Sequence, residues 1–338
     1  MNDLMEVHER FPNPKLSIVV ATYRRPDHLA HLLSALRKQT ASPADFEIVV
    51  VDNENQPNLQ VEAMCTSAPN EGLPVRYVHH AQLGLSSARN RGVREACGEL
   101  IAFLDDDILP PPEWVARVFI VRANTKADIF GGPYTPFYTN TPPRWFRDKY
   151  ASLNFGDHAH WLERNKYLSA GNTIWRRELV LELGGFSENF GYVGNKKRYG
   201  EDSELCQRAY FKGYGIWYDP SLSLQHHCGS ERMSVRWQIS SILRHSQMKA
   251  QLVLRESRAN DKRPAIRKIL SISRKFIFQT IMLLKVCSMA PFRKKKEFPY
   301  LENYIVEEIG REVRQVSLTF EMILCLFSNA DLSQVKPK

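Results

Sequence analysis

Regular patterning begins at Leu16. LSIVVA (16–21) is an unbroken run of mostly β-branched apolar residues, as in a strand buried on both faces. Leu29, Leu32, Leu33 and Leu36 then fall at i, i+3, i+4 and i+7, which predicts an amphipathic helix over 27–39. FEIVVVD (46–52) repeats the strand signal and VRYV (75–78) gives a weaker third. Residues 86–97 read as a helix, and ELIAFL (99–104) is a fourth strand running into three aspartates. Strands alternating with helices predict an α/β fold, a doubly wound and mostly parallel sheet with helices on both faces.

Pro110, Pro111 and Pro112 interrupt the pattern before a helix from Glu113, and ADIFGG (127–132) is a further strand. Residues 135–166 are rich in Pro, aromatic and basic residues without a period, and read as a long loop. YLSAGNTIW (167–175) restores the pattern, and a helix over 177–183 stops at Gly184 and Gly185. A Gly- and Lys-containing loop covers 186–200. Asp202 is placed to cap a helix over SELCQRAYF, and YGIWYDP and SLSLQHH are strand-like. Beyond Arg236 the chain is helical in character up to a polar tail at Asp331. The boundaries read as an N-terminal extension (1–14), two halves of an α/β domain (15–134 and 135–235) and a basic helical appendage (236–338).

With 338 residues, 43 % hydrophobic and 25 % charged, the chain has the composition of a globular protein with a sizeable core. Its formal charge of +9 is local: eleven Lys or Arg and no acid lie between Lys262 and Lys296, leaving −2 elsewhere. So confined a basic stretch, with no base-stacking motif, excludes nucleic acid as the expected partner. Inside it, FIFQTIMLLKVCSMA (276–290) is apolar but short and interrupted by Gln279 and Lys285, which argues against a membrane span. It reads as an interfacial helix drawn to anionic lipid, or as a helix docked on the catalytic domain. Ile305, Ile309, Val313, Val316 and Phe320 mark a second helix to pack against it. Six scattered cysteines without a C-x-x-C pair, and an N-terminus without an apolar leader, predict a cytoplasmic chain with free thiols.

In a doubly wound sheet, ligands bind at the carboxyl ends of the strands. The chain puts Thr22, Tyr23 and Arg24 after the first strand, Asp52 and Asn53 after the second, and Asp105, Asp106 and Asp107 after the fourth. Asp52 beside Asn53 is also a common turn former. Three adjacent carboxylates repel one another unless a cation or hydrogen-bond donors offset them, and a hard divalent ion is suited to that task. No G-x-x-x-x-G-K-[ST] loop is present, and no G-x-G-x-x-G follows the first strand, so a phosphate-bearing ligand must be held another way. A metal on Asp107 together with Arg89 would neutralise a diphosphate.

LSIVVATYRRPDHL, EIVVVDNEN, GLSSARNRG, IAFLDDDILPPPEW and GEDSELCQRAYFKGYGIWYDP occur in an order that resembles the family 2 inverting glycosyltransferases of GT-A fold, over roughly residues 15 to 230. The resemblance implies a GT-A-like sheet whose first half binds the nucleotide sugar and whose second half binds the acceptor. It implies nucleotide contacts from Thr22, Tyr23, Arg24, Asp52, Asn53 and Arg89, and ribose contact from Asp105 or Asp106. The D-x-D motif would be Asp105-Asp106-Asp107, with Asp107 and Asp105 binding Mn2+ or Mg2+. Asp202 would be the general base, with Glu201 beside it orienting the acceptor. Gly171 and Asn172 would underlie the donor sugar or acceptor. A metal-binding histidine is expected at the 226–227 doublet; its register is open, and His227 is favoured.

The implied partners are a nucleoside diphosphate sugar, UDP favoured, and a glycan or lipid-linked acceptor, with an anionic membrane surface contacted through 262–296 on the inner face of the membrane. The implied pathway is cell-surface polysaccharide or glycolipid synthesis. Two rivals are a sugar-nucleotide pyrophosphorylase, which would need a Gly-rich loop where TYRRPD stands, and a non-catalytic nucleotide- or glycan-binding scaffold.

Overall fold

The computed structural model describes residues 14–164, 166–191, 199–260 and 265–327. The N-terminal extension up to 13, positions 192–198 of the Gly- and Lys-containing loop, Lys262 and Arg263 of the basic stretch, and the tail from 328 lie outside the described residues.

The apolar runs at 16, 46, 75 and 100 become β1 (Leu16–Thr22), β2 (Phe46–Asp52), β3 (Val75–His79) and β4 (Leu100–Asp105). They lie parallel in the order β3-β2-β1-β4. Shorter strands follow: β5 (Ile108–Leu109), β6 (Ile129–Gly131), β7 (Tyr134–Phe137), β8 (His160–Trp161), β9 (Thr173–Arg176), β10 (Trp217–Tyr218) and β11 (Leu224–His227). The large sheet runs β3-β2-β1-β4-β9-β6-β10-β8, and β5-β11-β7 form a small second sheet. The sheet is parallel throughout only in its first half. β9 lies antiparallel between β4 and β6, and β8 antiparallel to β10, so the second half is mixed.

Helices cover both faces: α1 (Pro26–Leu36), α2 (Leu59–Ser67), α3 (Leu85–Glu95), α4 (Trp114–Thr125), α5 (Arg177–Glu182) and α6 (Glu201–Phe211). Strand alternation divides the core in two. Ile18, Val20, Ile48 and Val50 pack with the four leucines of α1 and with Trp114, Val115 and Val118 of α4. Val19, Val49, Val51, Ile101 and Phe103 face Ala88 and Val93 of α3, Leu179 of α5, and Leu205 and Ala209 of α6. The stretch expected to be a plain loop contains the end of β7, the two residues of β8 and a single turn, Asp148–Tyr150. Elements this short have no period to read.

The chain divides into two units, one running through Thr139 and again over Ala151–Cys228, the other formed by Asn140–Tyr150 and the chain from Gly229 onward. One aromatic-basic segment, Asn140–Tyr150, is thus grouped with the helical unit. That unit holds α7 (Val235–Asn260), α8 (Ala265–Ser288), α9 (Leu301–Tyr304) and α10 (Gly310–Phe327), with a π-turn over Ile305–Ile309 joining the last two. Arg147 and Lys149 pair with Glu307, and Asn303 donates to Tyr150 at 2.9 Å. The expected packing of the second helix on the first is present: Phe276 of α8 stacks 5.9 Å from Phe320 of α10, and Thr319 donates to Gln279 at 3.0 Å. Among the described residues no helix is long and apolar enough to cross a membrane.

Candidate active site

Parallel register brings the ends of three strands together: Thr22 of β1 stands opposite Asp52 of β2, and Ala21 opposite Asp105 of β4. After Asp105 the chain turns at once into β5, which folds the next two carboxylates back toward β1. Thr22 Oγ1 donates to Asp106 Oδ2 at 2.8 Å. Arg25 Nη1 lies 3.3 Å from both Asp106 Oδ1 and Asp107 Oδ2. Burial, reinforced by the charge of Asp107, pushes the Asp106 carboxyl up to about 7 against the opposing pull of Arg25 and Thr22.

β11 pairs antiparallel with β5, His226 opposite Ile108. This places His226 Nε2 3.1 Å from Asp107 Oδ1. Asp105, Asp107 and His226 each offer a ligand atom, all within 4.8 Å of one another. Two carboxylates and an imidazole form a donor set that fits a divalent cation, the carboxylates suiting Mn2+ or Mg2+. The expectation that His227 completes the set is corrected, because neighbouring strand residues face opposite ways. His227 bonds Thr139 at 3.1 Å and stacks 4.9 Å from the His28 ring, in a cleft of about 910 Å³ between α1 and the small sheet.

Behind the aspartate turn sits Arg89 on α3, only 4 % exposed. Its Nη2 reaches Asp105 Oδ1 at 2.7 Å and its Nη1 reaches Glu201 Oε1 at 2.9 Å. Arg89 is thus engaged by two carboxylates. Burial first and the Asp202 charge second push the Glu201 carboxyl up to about 7. Helix α6 starts at Glu201, two residues earlier than expected, because Gly200 with φ 101 takes the cap position. Asp202 therefore lies inside the first turn. Its Oδ2 accepts from Ala170 N–H at 3.2 Å and its Oδ1 from Ser203 N–H at 2.6 Å, and it remains partly exposed.

The turn holding Asp202 also holds Gly171. A Cβ there would stand 2.8 Å from Asp105 Oδ2 and 2.9 Å from Ile108 Cδ1, so a side chain at this position requires the aspartate or the isoleucine to shift. Asn172 is 1 % exposed, and its amide nitrogen donates to the Pro133 and Leu222 carbonyls.

The remaining expected nucleotide residues form the rim. Arg24 has φ 56, and its side chain leaves the aspartates for Glu54 at 3.5 Å and the face of Tyr23. That reversal leaves the aspartates to the next arginine, which the sequence reading had passed over. Asp52 is buried and accepts from Tyr77 Oη and Asn58 N–H, each at 2.8 Å. Asn53 holds the His80 and Gln82 carbonyls and the Gly84 N–H. Both residues shape the loop after β2. Among the tryptophans, Trp175 is buried in the core, Trp145 packs on Phe146 and Tyr150, and Trp161 is exposed against Trp217.

The mixed sheet with helices on both faces is GT-A-like, and the aspartate turn at its strand ends is a candidate cation site. The sequence model of glycosyl transferase family 2 matches residues 17–184. The chain belongs to this family and is a glycosyltransferase that uses a nucleotide-sugar donor. A glucosyl-dolichyl phosphate glucuronosyltransferase of Haloferax volcanii is 26 % identical over 233 residues, covering 66 % of this chain and 72 % of the relative. Two solved structures share the fold. One is a mannosyltransferase from Pyrobaculum calidifontis in complex with GDP-mannose and Mn2+, with TM-score 0.58, 15 % identity, and 98 % and 95 % of the two chains covered. The other is residues 1–349 of S. aureus TarS in complex with UDP-GlcNAc, with TM-score 0.50, 17 % identity, and 92 % and 91 % covered.

Proposed function

We propose that the protein is a metal-dependent inverting transferase that moves a sugar from a nucleoside diphosphate, UDP being favoured, to a hydroxyl of a lipid-linked or other glycan acceptor. The observation that carries this reading is Arg89, which ties Asp105 of the cation site to Glu201, the neighbour of Asp202. Donor and acceptor machinery thus share one buried guanidinium. Mn2+ or Mg2+ held by Asp105, Asp107 and His226 would supply positive charge to offset the departing diphosphate. Asp202, held by two backbone N–H groups and still with acceptor capacity, takes the proton of the acceptor hydroxyl as that oxygen attacks the anomeric carbon. Arg25, half exposed at the mouth, presents a further positive charge to the phosphates. The UDP-GlcNAc bound to TarS supports the choice of UDP, the Mn2+ in the mannosyltransferase supports the metal, and the dolichyl phosphate substrate named for the archaeal relative supports a lipid-linked acceptor.

The test is release of nucleoside diphosphate from UDP-, GDP- and dTDP-sugars in the presence of Mn2+ and polyprenyl-phosphate-linked saccharides. Asp202→Asn is expected to lower turnover by about 10²- to 10⁴-fold with donor binding retained. Unchanged turnover in that variant would remove Asp202 from the chemistry.

A further inference from the structure

We propose that α8 and the segment after it form a docking surface for an anionic lipid bilayer. Ile277, Ile281 and Leu284 follow one another at i, i+4 and i+7 on the outer side of α8, exposed by 58 %, 58 % and 65 %, and Phe278 beside them by 64 %. The opposite side of the helix is already satisfied, because Phe276 and Gln279 meet α10. Phe292 extends the apolar surface beyond the helix end at 76 % exposure. A contiguous outward apolar stripe of this kind marks an interaction site.

Charge identifies the occupant. Arg274, Lys275 and Lys285 flank the stripe, Arg293, Lys294, Lys295 and Lys296 follow Phe292, and no acid occurs from 265 to 296. Of the acids in the neighbouring helical segment, Glu307 pairs with Arg147 and Lys149, and Glu308 with Arg311. Apolar side chains ringed by cations of one sign suit the headgroup boundary of an acidic leaflet, where the chains enter the acyl region and the cations meet phosphates. No described helix can span the bilayer, so the contact is peripheral. For a transferase with a lipid-linked acceptor, such a surface concentrates the enzyme where its acceptor resides.

Co-sedimentation of the full chain with phosphatidylcholine vesicles, with and without phosphatidylglycerol, tests this in the absence of donor and acceptor, so its result is independent of the transferase reading. The expected result is binding to the anionic vesicles that weakens in high salt. Ile277→Ser/Ile281→Ser/Leu284→Ser and Lys294→Glu/Lys295→Glu/Lys296→Glu should each lower the partition coefficient by about tenfold or more, with melting temperature and nucleotide binding unchanged. Absence of vesicle binding by the folded chain overturns the proposal. So does concentration-dependent dimerisation abolished by the triple serine variant without vesicle binding, which would assign the stripe to a second copy.

Discussion

His226 Nε2 lies 3.1 Å from Asp107 Oδ1, although 118 residues separate them in sequence. The contact exists because β11 pairs with β5, the strand that begins one residue after Asp107. Electron paramagnetic resonance of free Mn2+ reads the consequence. His226→Ala is expected to weaken Mn2+ binding by about 10- to 100-fold, whereas His227→Ala, on the opposite side of the strand, changes it by less than about threefold.

Arg89 is buried between Asp105 and Glu201. Arg89→Met leaves carboxylates without their partner and should cost about 3–5 kcal/mol of unfolding free energy, read by urea denaturation. Arg89→Lys should recover little, since one ammonium lacks the planar fork that reaches both carboxylates. Glu201→Gln in the Arg89→Met background should restore part of the loss. Equal stability of wild type and Arg89→Met would refute the bridge.

The α/β pattern and the aspartate triplet were legible in the sequence because buried parallel strands write themselves as continuous apolar runs such as FEIVVVD. The parity of the histidine doublet was not, since β11 has four residues and its facing is set by pairing with β5 and β7. Arg25 was hidden for a different reason. It adjoins Arg24, and only the left-handed backbone at Arg24 decides which of the two turns to the aspartates. The bridging role of Arg89 depends on Glu201, 112 residues away, so no local signal carries it.

Gly171→Ala introduces a methyl group 2.8 Å from Asp105 Oδ2 and 2.9 Å from Ile108 Cδ1. Overpacking of that kind costs about 1–3 kcal/mol. Because the displaced atom belongs to a carboxylate of the proposed cation site, Mn2+ affinity should fall along with stability. A variant with reduced melting temperature and unaltered Mn2+ affinity would show that the turn and the cation site are uncoupled.

The Glu201 carboxyl rises from its usual 4.5 to about 7 through burial and the charge of Asp202. A raised carboxyl pKa means the native state holds the proton more tightly than the unfolded chain. Its contribution to stability is fully present below about 4.5 and is lost as pH climbs through about 7. In metal-free protein, the stability of wild type relative to Glu201→Gln should therefore fall as pH rises from about 4.5 through about 7, read by urea denaturation at each pH. Parallel pH-stability curves for the two proteins would contradict the raised carboxyl pKa of Glu201.

The most direct test of the account is calorimetric titration of UDP, GDP and dTDP into the full chain with Mn2+ and with EDTA, for wild type and for Asp107→Ala. The expected result is binding of one nucleotide that requires Mn2+ and disappears in the variant, with the variant's fold verified by circular dichroism. Binding of equal strength with Mn2+ and with EDTA, or no binding of any nucleotide by folded wild type, would contradict a donor site built on Asp105, Asp107 and His226.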